Sequence, residues 1–296
     1  MYQIVSDGSC DLDQSIIDNL NIKIVPFYIT KDGETHYKER EELEVEEFYQ
    51  FMVDNKGVFP KTSMPSVQDY LDVFEPILKD KQDIICICIT TKFSGSYNSA
   101  NTAKQMLEDE YPHQRITIID ACVNTVLQGL LVLEAVKMRD NGFDYEKNIS
   151  QIEELKITGR IFFTVDGFDY LIHGGRIGKV AGVAAKTLGI KPLIVLKDGE
   201  IFASGVCRGR EKSKRKVIEN VIKHFQDNQL NIQDYALCVG YGYDREEGKL
   251  FLKQLQSTLE ETFGEIDDIL IQHIGATIGV HTGPYPLGVG LIHKYK

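Results

Sequence analysis

Two kinds of apolar run alternate along the chain. Ile84-Ile85-Cys86-Ile87-Cys88-Ile89 is unbroken, the pattern of a strand buried on both faces. Tyr2 to Val5, Ile22 to Thr30 and Arg115 to Ile119 read as further strands. Between them apolar residues recur at helical spacing: Ile16, Ile17 and Leu20; Val45, Phe48, Phe51 and Met52; Tyr70, Leu71 and Phe74; Ala103, Met106 and Leu107. Val126 to Met138 is a strongly apolar helix that closes near Asn141-Gly142. Strands alternating with helices predict a parallel sheet with helices on both faces. Lys31-Asp32-Gly33 predicts a hairpin turn into residues 34–38.

The pattern changes after the polar segment Tyr145 to Lys156, which reads as a boundary. Beyond it, Ile161 to Val165, Lys191 to Leu196, Glu200 to Val206, Tyr235 to Gly240, Ile269 to His273 and Gly288 to His293 are strand-like. Lys197-Asp198-Gly199 is a hairpin signal. Glu211 to Phe225 and Glu246 to Phe263 are helical. The expected fold class is α/β in two domains, as suits 296 residues. Residues 1–156 form an N-terminal parallel sheet flanked by helices. Residues 157–296 form a C-terminal α+β domain with mostly antiparallel strands.

Composition narrows the chemistry. The chain is 43% apolar with a net charge of −11, so it folds and carries no basic stripe for nucleic acid. The dense basic cluster from Arg208 to Lys216 reads as one helix face. No apolar run approaches the roughly 20 residues of a transmembrane helix, and Met1 to Val5 enters a strand at once. A cytoplasmic protein without stable membrane insertion is expected. The six cysteines include no CxxC pair and the seven histidines are scattered, so reduced thiols and no metal are expected. There is no Walker loop, and Gly240-Tyr241-Gly242 lacks the third glycine of a dinucleotide fingerprint. No cofactor is expected.

Thr90 to Ala100 carries the most suggestive chemistry. A strand leads into a turn with Thr90, Thr91, Ser94, Gly95 and Ser96, and then into a helix. The first amides of a helix lack partners and favour negative charge. Hydroxyls add donors, and Gly95 lets a ligand approach the backbone. A second hydroxyl-rich loop runs from Lys61 to Ser66, where Ser66 caps the next helix. Ligands of parallel sheets sit at the carboxyl ends of strands, where Asp7, Ser94 and Asp120 fall. Taken singly, these residues have plainer roles. Ser94 or Ser96 reads as a helix cap, Arg176 as an outward arginine after the paired glycines 174 and 175, and His281 as a core histidine. His173-Gly174-Gly175 is similar to an esterase oxyanion motif, although Lys92 stands where a nucleophile elbow needs glycine. A serine-dependent acyl hydrolase or transferase, with Ser94 as nucleophile and His281 as base, is therefore one reading.

In combination the motifs resemble the DegV-like proteins, across the whole chain and in order. They are Ser6-Asp7-Gly8-Ser9-Cys10-Asp11-Leu12, Thr62-Ser63-Met64-Pro65-Ser66, Phe93-Ser94-Gly95-Ser96-Tyr97-Asn98-Ser99-Ala100, Tyr170-Leu171 with Gly174-Gly175-Arg176-Ile177, Gly189-Ile190-Lys191-Pro192-Leu193 with Asp198-Gly199, and His281-Thr282-Gly283-Pro284. That group includes the fatty-acid-binding subunits of bacterial fatty acid kinase. The resemblance implies a chain that is no enzyme and has no catalytic residue of its own. It would hold one long-chain fatty acid such as palmitate between its domains. It would present the carboxylate to a separate fatty acid kinase catalytic subunit for acyl-phosphate formation. By the same resemblance Thr62 and Ser94 bind the carboxylate, and Ser63, Gly95, Ser96 and His281 are possible additional head-group residues. Arg176 and Arg208 match positions associated with the kinase partner and phosphoryl transfer. A fatty-acid sensor without a kinase partner is the other alternative. Three stretches depart from the family pattern: Lys92-Phe93, Asn124-Thr125-Val126-Leu127 where the family tends to have a Ser followed by Gly, and Tyr285-Pro286 in place of Gly-Ala.

Overall fold

The structure is a computed structural model that describes residues 1–180 and 190–295. Gly189 of the fifth motif lies outside the described residues. In chain order the first half contains β1 (Tyr2–Asp7), α1 (Gln14–Asn19), β2 (Lys23–Val25), β3 (Tyr28–Thr30), β4 (Tyr37–Lys38) and α2 (Val45–Asp54). It continues with β5 (Lys61–Ser63), α3 (Val67–Lys79), β6 (Asp83–Cys88), α4 (Ser96–Glu108), β7 (Ile116–Asp120), α5 (Thr125–Asp140) and α6 (Tyr145–Lys156). The second half contains β8 (Arg160–Thr164), α7 (Asp169–His173), β9 (Ile190–Lys197), β10 (Glu200–Arg208), α8 (Arg210–Asp227), β11 (Tyr235–Tyr241), α9 (Arg245–Phe263), β12 (Leu270–His273), α10 (Ala276–Thr282) and β13 (Leu287–His293).

Three sheets result. The expected parallel sheet has the order β2-β1-β6-β7, with every pair parallel. The expected antiparallel sheet has the order β10-β9-β8-β13-β11-β12 and is antiparallel except for β11–β12. Its β9–β10 hairpin turns at Asp198-Gly199, both with positive φ, as a two-residue loop demands. In the parallel sheet the chain runs from β1 outward to β2, then returns on the other side at β6. The crevice between the carboxyl ends of β1 and β6 is the switch point where such sheets bind ligands.

The third sheet, β4-β3-β5, corrects two expectations. Ile22 to Thr30 is not one strand. Pro26, which cannot donate to a ladder, separates β2 in the parallel sheet from β3 in the small antiparallel one. Lys61 to Ser63 is not loop but β5, paired with β3 through Ile29 opposite Thr62. Two further segments are helices. Tyr145 to Lys156, read as a boundary, is α6, which buries Tyr145, Asn148, Ile152 and Leu155 at helical spacing and turns its charges outward. Residues 276–282 form α10. The boundary expected at 156/157 falls between α6 and β8.

Helix α5 joins the two large sheets. Thirteen of its sixteen residues are buried, because it packs on β1 on one side and on β11 and β13 on the other. A helix apolar all round has no face to spare for water. The core around it is continuous, from Ile4, Ile85 and Ile87 through Leu127 and Leu131 to Ile161, Ile194 and Ile292. The two sheets are thus fixed against one shared core.

Candidate functional site

The carboxyl end of β1 supplies a buried anchor. Asp7 is fully buried, and its carboxylate accepts four hydrogen bonds. Ser9 Oγ (2.6 Å) and Gln128 Nε2 (2.9 Å) donate to one oxygen. Ile89 N (2.9 Å) and Ser96 Oγ (2.7 Å) donate to the other. Burial pushes the Asp7 pKa up, opposed by these bonds. The network ties the ends of β1 and β6 to the first turn of α4 and to α5. It fixes the loop that carries Ser94.

Ser94 Oγ accepts the Ser96 amide at 3.1 Å, which leaves its own proton free to donate. Across the crevice, Thr62 Oγ1 lies 3.2 Å from His281 Nε2. His281 comes from the last turn of α10 and is largely buried. Among the described residues its Nδ1 has no hydrogen-bond partner. Gly174 packs against this ring so closely that a Cβ there would fall 2.2 Å from Nδ1. Burial first, and then the nearby Arg176 charge, hold the His281 pKa down at about 4, so the imidazole is neutral at neutral pH.

Arg176 does not point outward as the sequence suggested. It is half-buried and donates from Nη2 (2.8 Å) and Nε (3.3 Å) to the Phe93 carbonyl and from Nη1 (2.7 Å) to the Gly174 carbonyl. Gly175, with φ +68°, turns the chain back so that the guanidinium reaches the Ser94 loop.

These groups share one cavity. Thr62, Ser94, Gly95, Arg176 and His281 line one part of it, beside Met64 and Phe93. The remaining wall is largely apolar, with Asn124, Thr125, Thr277 and Thr282 as its polar members, and crosses the inner face of the six-stranded sheet. It includes Ile201, Leu196, Ile161, Phe163, Gly288 and Gly240, faced by Val126, Ile274 and Ile278. Chemically this is an apolar slot with hydroxyl and guanidinium donors at one end, suited to an amphiphile with an anionic head.

Four sequence candidates lie elsewhere. Ser63 is exposed, since successive strand residues face opposite ways. Ser96 is spent on Asp7 and on Tyr70, whose OH is 2.7 Å away. Arg208 is exposed at the end of β10. Asp120 holds Thr91 Oγ1 at 2.6 Å and is outside the cavity lining. Among the described residues, the recorded hydrogen bonds of His281 include Thr62 but not Ser94, so the nucleophile–base pair of the hydrolase reading is not formed. No group of His, Cys, Asp and Glu among the described residues is arranged to hold a metal ion.

Comparison with known proteins gives the family. The DegV family model, described as "Uncharacterised protein, DegV family", matches residues 1–294. The chain belongs to the DegV family. A DegV domain-containing protein of Clostridium acetobutylicum is 30% identical over 293 residues, 99% of each chain. A solved fatty-acid (stearic acid)-binding protein of Eubacterium ventriosum is 44% identical, with a TM-score of 0.94 over 100% of this chain and 99% of that one. A DegV family protein of Thermus thermophilus, described by its fatty acid binding, is 27% identical with a TM-score of 0.86 over 99% of each chain.

Sequence reasoning missed a second polar group in this DegV chain. Thr125 and Thr277 both line the cavity, yet their hydroxyls turn away from it. Thr125 Oγ1 donates to Asp11 (2.6 Å) and Thr277 Oγ1 donates to Glu39. Both acids are buried. Burial, and then repulsion from Glu39, raise the Asp11 pKa to about 8, and burial raises that of Glu39. With their hydroxyls used behind the wall, the two threonines add no donor to the apolar slot. Thr125 also carries backbone strain: its φ is +49°, a left-handed conformation unfavourable for a β-branched residue. The Asp11 hydrogen bond helps to hold it. Among the described residues, no helix is long and apolar enough to cross a membrane.

Proposed function

We propose that this chain binds one long-chain fatty acid in the cavity. Its carboxylate would meet Thr62 and Ser94, and its acyl chain would run over the inner face of the six-stranded sheet. The observation that carries the reading is the gathering of two hydroxyls and a guanidinium at one part of a slot walled mainly by apolar side chains. The fatty-acid-binding relatives support it.

A fatty acid carboxylate titrates near the ordinary carboxylate range, roughly 4 to 5 in water, and arrives charged. Taking it out of water without donors costs several kcal/mol, roughly, or forces protonation. Ser94 has a proton to give. Thr62 has one if His281 is the Nε2–H tautomer, because the imidazole then donates to Thr62 Oγ1 and leaves the hydroxyl proton for the ligand. Neutral His281 is thus a positioning residue for Thr62. Arg176 supplies the compensating charge and steadies the Ser94 loop through the Phe93 carbonyl.

The same geometry supports a carrier that presents its carboxylate to a separate fatty acid kinase, with Arg176 at the head group and exposed Arg208 meeting the partner. The test is two-part. Palmitate titration should saturate at about one acid per chain, as a pocket of this kind holds one ligand. A fatty acid kinase catalytic subunit with ATP should then form acyl-phosphate only when this chain is present. Saturable binding without any acyl-phosphate would leave the fatty-acid site standing and remove the kinase role. Labelling of Ser94 by a fluorophosphonate would instead favour the hydrolase.

A further inference from the structure

On the β11 side the cavity is lined by a side chain with little room to move. Val126, in the first turn of α5, is 3% exposed and lines the cavity. It rests on two glycines of neighbouring strands. A Cβ on Gly240 of β11 would lie 3.1 Å from its Cγ1, and one on Gly290 of β13 would lie 3.3 Å from its Cγ2. Ile274 closes the third side, since the Gly240 Cβ would also meet its Cγ1 at 3.1 Å. Gly240 lines the cavity and Gly290 does not. The Val126 methyls sit between the glycine that lines the cavity and the one that does not. Beyond lie Leu127, Leu130 and Leu131, all buried in the shared core.

We infer that Val126, seated on Gly240 and Gly290, is the stop that sets the length of acyl chain the cavity accepts. This rests on the fatty-acid reading of the same cavity. A chain that reaches Val126 gains from every buried methylene, about fourfold in affinity each. One methylene more must push a valine held on three sides by backbone and core. Close-packed interiors resist such insertion. Chain-length preference at this stop is a matter of shape.

The test is a titration series with lauric, myristic, palmitic, stearic and arachidic acids against the wild type, Val126→Ala and Gly240→Ala. Val126→Ala removes two methyl carbons from the stop. It should shift the best-bound acid to the next longer one, with the affinity ratio of that pair changing by up to roughly fifteenfold, two methylenes' worth. Gly240→Ala adds a methyl that presses on Val126 and Ile274, and should shift the preference toward shorter acids. Either shift is informative alone if the other variant fails to fold. Unchanged ranking in folded variants that still bind fatty acids would overturn the stop while leaving the reading of the cavity intact. A wild type that binds none of the acids would overturn both.

Discussion

The two ends of the cavity are built by different means. The head end is chemical: Thr62, Ser94, Arg176 and His281 come from four separate segments and converge through hydrogen bonds. The β11 end is geometrical, with Val126 and two glycines that touch and exchange no hydrogen bond. Directional bonds can hold a charge in place and discriminate head groups. Close packing can only measure size, at about fourfold per methylene. The head end should therefore be sensitive to single atoms, and the far end to volume.

The largest effect should come from the scaffold of the head end. Asp7→Ala strands the four donors that converge on its carboxylate. Buried donors left unsatisfied cost about 1–3 kcal/mol each, so urea denaturation should show a loss of roughly 3 kcal/mol or more. A loss under about 1 kcal/mol would mean that the Ser94 loop is held by something else.

Next come the head-group hydroxyls. Hydrogen bonds to charged groups contribute roughly 1.5–3 kcal/mol each. Thr62→Ala and Ser94→Ala should each weaken palmitate binding about 10- to 150-fold. The double variant should be non-additive, since both serve one carboxylate. Hexadecanol, uncharged and of equal length, is the control. Equal losses for acid and alcohol would transfer the effect from charge recognition to packing, and would erase the contrast between the two ends.

A smaller effect per pH unit comes from the acids behind the apolar wall. Asp11 titrates near 8 in the fold and near 4, roughly, when unfolded. Across that window the folded chain keeps a proton that the unfolded chain has lost. Stability is therefore fully present below about pH 4 and declines as pH rises toward 8, by at most about 1.4 kcal/mol per pH unit. Asp11→Asn should flatten that slope in urea denaturation run at several pH values. An identical slope in the variant would show that Asp11 is already ionised. The gentlest change is at Val126, where only the ranking of fatty acids should move.

How much of this was legible in the sequence follows the same division. Ser94 and Thr62 stand out through the resemblance to the DegV-like proteins; read one residue at a time, Ser94 is only a helix cap and Thr62 only part of a hydroxyl-rich loop. The unbroken run at Ile84 and the all-apolar Val126 to Met138 announced a central strand and a buried helix. β5 was missed because three residues are too few to show a period. α10 was missed because Gly275, Gly279, Gly283 and Pro284 make its surroundings look like loop. Asp11 and Glu39 lie in polar turns, where nothing local reveals that α10 and α5 will cover them. Val126 and Gly240 are far apart in the chain, and their contact exists only once α5 lies on the sheet. The turn of Arg176 back toward Phe93 likewise depends on two halves meeting.

The central claim is that this cavity holds a fatty acid by its carboxylate. The most direct measurement is native mass spectrometry of the protein as purified from cells, followed by lipid extraction and identification. The account predicts about one long-chain fatty acid per chain, lost on organic extraction and regained with palmitate. It also predicts a higher melting temperature for the loaded form, because a ligand specific to the fold stabilises it by mass action. Protein that carries no fatty acid, takes up none and melts identically with and without palmitate would contradict it.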